Sequence, residues 1–158
     1  RGNVKTRIKK LDDGDYDAII LARAGLERLG LGESISFIFD PSEFIPAPAQ
    51  GALAIETRID DEETNAITSL INNENAAIET AAERKILNVL ECGCHAPVGA
   101  YAKITDSRIK IQAFISNFDG TNYLANTKEG DAIEAESIAK NLANELLKEG
   151  GMEILKEL

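Results

Sequence analysis

The sequence predicts an α/β region with a parallel sheet, followed by an α+β domain in which helices cover one face of a three-stranded antiparallel sheet. The first prediction rests on a helix pattern, a strand pattern and a second helix pattern in close succession, an order typical of α/β layering. The second rests on a long amphipathic helix pattern followed by three segments with strand character. Between the two regions, prolines at 41, 46 and 48 indicate a crossing segment or a hinge. With 158 residues, 44% of them apolar, the chain is long enough to bury a core.

The α/β region opens with a helix, because the apolar residues at 4, 8 and 11 have helical spacing and Asn3 is a suitable N-cap. A second, short helix is predicted after residue 22, with Leu26 and Leu29 on its buried side and Gly30 or Gly32 ending it. Strands are predicted at residues 16–22 and 51–57, and residues 35–39 are predicted to be a strand or a short irregular segment.

The α+β domain is preceded by a helix with an acidic start at residues 60–63. Residues 74–91 predict the longest helix, whose apolar stripe consists of Ile78, Ala82, Ile86, Val89 and Leu90. Strands follow at 98–104, 108–115 and 123–127, and Asp119-Gly120 predicts the hairpin turn between the last two. A final helix starts after Asp131, with Ile138, Leu142 and Leu146 on one face.

The net charge of -10 argues against a nucleic acid as the main partner, because a phosphate backbone calls for a basic face. The charge is distributed unevenly. Residues 1–31 hold seven basic and five acidic residues, whereas residues 32–158 hold ten basic and twenty-two acidic ones. The basic end is therefore either a solvated helix face or a pocket for a small polyanion. No apolar run approaches the ~20 residues of a membrane span, so no membrane partner is expected.

The start of the first helix is a candidate anion site, because its free N–H groups and the helix dipole favour negative charge and Arg1 and Arg7 flank it. In open parallel sheets ligands collect beyond the carboxyl ends of strands, which places Ala22, Gly25 and Arg28 near a ligand. The pattern alone favours a simpler explanation, in which Gly25 serves close packing and Arg28 is a surface cation.

Both cysteines and the single histidine, Cys92, Cys94 and His95, lie in one loop before the first strand of the α+β domain. A disulfide between cysteines separated by one residue would be strained, so we expect reduced thiols and a cytoplasmic protein. Four interpretations are open: two structural thiols, a metal site, a thiol nucleophile activated by His95, and covalent attachment of a cofactor. The metal site has weak support, because three ligands so close in sequence seldom point inward together.

Six stretches within residues 1–104 carry a resemblance to one family. They are Arg1-Gly2-Asn3-Val4 with Arg7, residues 16–22, Ala24-Gly25-Leu26 with Arg28-Leu29-Gly30, Pro48-Ala49-Gln50-Gly51-Ala52, Ala82-Glu83-Arg84, and Glu91 through Gly99. In order and spacing these stretches resemble the porphobilinogen deaminases, also called hydroxymethylbilane synthases. The match runs over about residues 1–104, and the last fifty residues match only in pattern.

The resemblance implies a transferase of tetrapyrrole (porphyrin) biosynthesis that condenses four porphobilinogen molecules into hydroxymethylbilane. It implies three domains, the first two similar to periplasmic binding proteins and the third carrying a covalent dipyrromethane cofactor on a cysteine. Residues 1–45 would then be the later, incomplete part of domain 2. Residues 46–72 would cross back into domain 1, and residues 73–158 would form domain 3.

The resemblance also implies roles for single residues. Cys94, which is followed by x-x-Pro-Val-Gly, would be the attachment point in preference to Cys92. Each pyrrole brings an acetate and a propionate, which arginine forks can bind. The other implied site residues are those that bind carboxylates, Arg1, Arg7 and Arg28, and those that line or adjoin the cleft, Ala22, Gly25, Gln50 and Glu91. No metal is implied, and the family's catalytic aspartate belongs to a region upstream of this sequence.

We expect a fragment, since the sequence begins at Arg1 without a methionine and without that aspartate. The fragment alone would be inactive. Its partners would be porphobilinogen, the growing polypyrrole chain and the missing N-terminal region of the same enzyme, and the full-length enzyme would be a monomer. The alternative is a non-enzymatic module that binds a small carboxylate ligand reversibly and keeps unmodified thiols.

Overall fold

The computed structural model describes residues 2–91 and 96–157, and the chain divides into two compact units, Arg1–Asp40 and Pro41–Leu158. The first unit holds helices α1 (Val4–Asp12) and α2 (Arg23–Arg28) and a 3-10 turn (Gly32–Ser34). The second unit holds helices α3 (Glu62–Ser69) and α4 (Glu74–Leu90), then strands β1 (Val98–Thr105), β2 (Arg108–Ser116) and β3 (Tyr123–Asp131). It ends with a 3-10 turn (Ala132–Glu134), helix α5 (Ala135–Leu146), a π-helix (Leu147–Gly151) and helix α6 (Met152–Lys156). No helix in the described ranges is long and apolar enough to cross a membrane.

Local signals set the ends of both helices of the first unit, and both predictions are confirmed. The Asn3 side chain caps α1 by accepting the Thr6 N–H at 2.9 Å. Gly30 follows α2 with a φ of +69°, a conformation that favours glycine. Leu26 is buried, but Leu29 is 46% exposed, so the prediction that both face the core is wrong. The reason is that Leu29 is the C-cap of α2 and leaves the helical spacing there.

The strands predicted at residues 16–22 and 51–57 do not form among the described residues, and residues 35–39 take the irregular alternative. Residues 16–22, 35–39 and 51–57 have no strand pairing, and Ile20 and Phe37 are more than half exposed. An apolar run indicates a tendency to be buried, whereas a strand also needs a neighbour that completes its hydrogen bonds. No described strand pairs with these segments. The prediction of α/β layering with a parallel sheet is therefore wrong for the chain as it stands.

The antiparallel sheet of the second unit is confirmed, with the strand order β1-β2-β3. Residues with buried side chains pair with one another across β1 and β2, as in Val98↔Ile115 and Ile104↔Ile109. Helices α4 and α5 pack against this face, so the sheet has helices on one side as predicted. The largest fully buried side chains of this core are Ile86, Ile109, Ile111, Ile115, Leu142 and Leu146.

The predicted stripe of α4 is confirmed in its second half, where Ala82, Ile86 and Leu90 are buried. Ile78 is exposed instead, because it lies in the first turns of α4, ahead of the buried stretch that begins at Ala82. Glu83, to which the sequence pattern assigns no role, is buried beside this stripe with only 6% of its surface exposed.

The predicted turn before β3 is confirmed, with Gly120 at a φ of +73°. The Asp119 carboxylate accepts hydrogen bonds from the Thr121 backbone N–H at 3.0 Å and from its hydroxyl at 2.7 Å. These bonds to Thr121 hold the pKa of Asp119 below its ordinary value.

The proline-rich segment before residue 50 lies against the sheet of the second unit. The Pro46 carbonyl accepts the Ala100 N–H at 3.0 Å, and the Ser42 carbonyl accepts the Gln112 side-chain amide at 3.2 Å. Because Ala100 belongs to β1, these contacts place the turn around Gln50 next to the strand that follows the cysteine loop.

Candidate functional site

The first unit carries two arginines without an ion pair among the described residues, Arg7 on α1 and Arg28 in the last turn of α2. Both side chains are exposed. Their neighbours behave differently, since Arg23 binds Glu27 at 2.6 Å and Lys9 binds Asp13 at 2.6 Å. Arg7 and Arg28 are therefore cations with free guanidinium forks, which can each bind a carboxylate through two hydrogen bonds.

Gly25 lies where α2 approaches the first turn of α1. A Cβ added at Gly25 would be 3.9 Å from Val4 Cγ2, an ordinary contact distance, and its φ is not positive. Neither packing nor backbone conformation among the described residues thus requires a glycine here, which weakens the packing explanation. Ala22, the extended N-cap of α2, accepts the Gly25 N–H at 3.1 Å. The structure brings Ala22 and Gly25 together beside the capped end of α1.

The second unit positions Gln50 and Glu91 through backbone conformations that side chains rarely adopt. Gln50 follows Ala49, which has a φ of +60°, and precedes Gly51, which has a φ of +86°. Its N–H donates to the Ala47 carbonyl at 3.0 Å, so the side chain projects from a tight turn and is exposed. Glu91 ends α4 in the left-handed region, with φ 50° and ψ 26°, and is also exposed.

Glu83 holds the Gln50 turn and was missed by sequence reasoning. Its Oε2 accepts the Ala49 N–H at 2.6 Å and its Oε1 accepts the Ala102 N–H of β1 at 2.8 Å. Burial raises the pKa of Glu83, the two backbone bonds oppose that shift, and the nearby Glu79 adds to it. One feature of the sequence could have identified Glu83: it is an acidic residue next to the buried stripe of a helix. An unpaired carboxylate there would cost free energy, so a hydrogen-bond partner was to be expected.

Four residues of the predicted site, Arg1, Cys92, Cys94 and His95, lie outside the described residues. Within the described ranges, no group of three or more His, Cys, Asp or Glu side chains is arranged to hold a metal ion.

Comparison with known proteins decides the family. Residues 1–66 match the family model described as "Porphobilinogen deaminase, dipyromethane cofactor binding domain", and residues 77–148 match "Porphobilinogen deaminase, C-terminal domain". The chain belongs to the porphobilinogen deaminase family. The porphobilinogen deaminase of Chlorobium phaeobacteroides (strain BS1) is 44% identical over 162 aligned positions, which cover 100% of this chain and 52% of that protein. The chain thus spans about half the length of the curated relative that it matches, and the resemblance found in the sequence is confirmed.

Proposed function

We propose that this chain is part of a cytoplasmic hydroxymethylbilane synthase, which condenses four porphobilinogen molecules head to tail with release of ammonia. In the full-length enzyme, Cys94 carries the dipyrromethane cofactor through its sulfur. The observation that carries the proposal is the 44% identity to a porphobilinogen deaminase along the whole of this chain. The match of residues 1–66 to a cofactor-binding domain supports the cofactor assignment.

The described residues fit a ligand with several carboxylates. Arg7 and Arg28 are exposed and have no ion pair in the described part of the chain, and we propose that they bind acetate and propionate groups together with Arg1. A Cβ at Gly25 would have room beside α1, and we propose that Gly25 and Ala22 line the cleft. By the resemblance, Gln50 is also assigned to the cleft of the full-length enzyme, and Glu91 to the vicinity of the attachment loop.

When bound, the cofactor supplies the free pyrrole carbon to which porphobilinogen is added. The residues of this chain bind the carboxylates of the ligand and orient them. Guanidinium forks fix the carboxylates, because a two-point contact sets direction as well as distance. By the resemblance, the family's catalytic aspartate, which stabilises positive charge on the pyrrole nitrogens, belongs to the region upstream of this sequence, and the proposed role of this chain is positioning and the tether.

The exposed apolar residues support the proposed division into residues 1–45, 46–72 and 73–158. Leu53, Ile59 and Leu70 are 81%, 97% and 83% exposed, which is unusual for large aliphatic side chains clustered in one segment. We propose that residues 46–72 pack into domain 1, whose remaining residues lie in the N-terminal part of the enzyme. The isolated chain should therefore be inactive, and addition of that N-terminal part should restore turnover of porphobilinogen.

Intact-protein mass spectrometry with peptide mapping tests the assignment on the full-length enzyme. We expect a mass gain of two pyrrole units on the Cys94 peptide, loss of that gain in Cys94→Ser, and its retention in the matched control Cys92→Ser. Ehrlich's reagent should give the colour of a dipyrromethane with the wild type and with Cys92→Ser, but not with Cys94→Ser. Loading of Cys92 would overturn the choice of thiol, and unmodified thiols with reversible carboxylate exchange would favour the non-enzymatic binding module.

Gly25→Ala tests the cleft separately from the tether. The added methyl group has room in the fold, so the melting temperature should stay within about 2 °C of the wild type while the loaded fraction falls. Gly32→Ala is the control, because nothing lies within 4 Å of a Cβ at Gly32. Equal loading of both variants would contradict the position of Gly25 at the cleft.

A further inference from the structure

The outer edge of β1 is completed by groups that do not belong to a strand. β1 has β2 on one side only, so backbone N–H groups on its other side need acceptors. Ala100 donates to the Pro46 carbonyl at 3.0 Å, and Ile104 donates to Glu79 Oε1 at 2.7 Å. Between them, Ala102 donates to Glu83 at 2.8 Å. Glu79 and Glu83 lie one turn apart on α4, so a single helix supplies two of the three acceptors.

Glu83 differs from Glu79 because its second carboxylate oxygen accepts a hydrogen bond from a residue outside β1. Glu83 Oε2 accepts the Ala49 N–H at 2.6 Å, at a residue whose φ of +60° is set by the turn that carries Gln50. Glu79 makes no second bond to a backbone N–H among the described residues, because the Oε1 that accepts the Ile104 N–H is also the oxygen that lies 3.3 Å from Lys103 Nζ. One buried carboxylate thus links two backbone segments that are 53 residues apart in the sequence, at Ala49 and Ala102.

The chemistry of this link requires a carboxylate. Two N–H donors converge on the Glu83 side chain, and an ionised carboxylate has an acceptor oxygen for each. An amide of the same shape has only one acceptor, and its NH2 group would face the other N–H. Bonds of a charged acceptor to backbone N–H groups are about twice as strong as neutral ones.

We propose that Glu83 is a positioning residue that fixes the Gln50 turn at a set distance from β1, the strand that leaves the cysteine loop. The inference rests on the proposed function, in which Gln50 lines the cleft and the cysteine loop carries the cofactor. Glu83 acts on the ligand through Gln50 and does not touch it. If Glu83 only completed the edge of β1, it would be equivalent to Glu79, and this difference can be measured.

The test uses the full-length holoenzyme with Glu83→Gln and the matched control Glu79→Gln. Hydrogen exchange of the peptide that contains Ala49 and Gln50 should become about tenfold faster in Glu83→Gln, the protection expected from one hydrogen bond to a charged group, and should not change in Glu79→Gln. Equal exchange of this peptide in the two variants would overturn the proposal. If Glu83→Gln does not fold, Glu83→Asp replaces it in the same exchange measurement. Its side chain keeps the charge but is too short to reach both N–H groups, so the same faster exchange is expected.

Kinetics separates positioning from a structural role. Glu83→Gln should lower kcat/KM for porphobilinogen by about tenfold in the wild type but by less than about twofold in a Gln50→Ala background, because the residues act in series. Equal losses in both backgrounds would also overturn the inference. An unloaded wild-type enzyme would instead refute the proposed function, and the exchange measurement on Ala49 would still test the role of Glu83.

Discussion

A methyl group added at Gly99 would overlap the ring of Phe114 on the neighbouring strand. Gly99 pairs directly with Phe114 on the face of the sheet that α4 and α5 leave uncovered. A Cβ at Gly99 would overlap Phe114 Cε1, lie 2.7 Å from Cδ1, and lie 3.0 Å from the Pro46 carbonyl oxygen. Gly99→Ala therefore changes one contact surface without touching the buried core.

The size of the effect follows from how little these neighbours can move. Carbon atoms pack at about 3.5–4.0 Å, so the Phe114 ring must shift by about 1 Å. It is stacked on Tyr123 at a centroid distance of 5.3 Å, and the Pro46 carbonyl is held by the Ala100 N–H. Overpacking of this kind costs about 1–3 kcal/mol, and at about 4 °C per kcal/mol the melting temperature should fall by about 4–12 °C.

Thermal unfolding of four proteins checks this reasoning: the wild type, Gly99→Ala, Phe114→Ala and the double variant. If the ring is the obstacle, Gly99→Ala should cost much less stability in the Phe114→Ala background, where the space is free. An unchanged melting temperature for Gly99→Ala, or the same loss in both backgrounds, would refute the contact as the cause.

Three further predictions concern stability. Because burial raises the pKa of Glu83, ionising this carboxyl costs free energy in the folded state, even though the carboxylate then accepts both N–H groups. Wild-type stability should therefore fall relative to Glu83→Gln as pH rises from the unfolded pKa of this group to its folded pKa, by about 1.4 kcal/mol per pH unit in urea unfolding, and a gain would contradict the raised pKa. Ile86→Ala should cost about 2–5 kcal/mol in the same assay, whereas Ile133→Ala, at a site 90% exposed, should cost less than about 0.5 kcal/mol. Asn73→Ala should cost about 1 kcal/mol by removing the cap on the Ala76 N–H at the start of α4, and no loss would show that this end is held by packing alone.

The sequence predicted the second unit well because its signals are local. The alternation at Ile109, Ile111, Ala113 and Ile115 specifies a strand with one buried face, and neighbouring strands of the same unit complete its pairing. Helix α4 was equally predictable from the sequence, since Asn73 caps it and its apolar residues recur at helical spacing.

The strand predicted at residues 16–22 failed because its apolar pattern says nothing about whether a pairing partner exists in the same chain. Glu83 was missed for a related reason. Its two acceptors meet N–H groups of residues 34 and 19 positions away, and no window of local sequence contains that information. The site residues were assigned by family resemblance, which does not require knowledge of long-range contacts. Their roles stay predictions.

The carboxylates along β1 also restrict how this chain can associate with other molecules. A foreign strand could join the sheet at β1 only by displacing both Glu79 and Glu83 from the N–H groups they occupy, which would leave a buried negative charge without partners. Self-association of the isolated chain should therefore proceed through the exposed aliphatic side chains near Ile59 and Leu70, by contacts that mild detergent reverses, and not by growth of the sheet from β1.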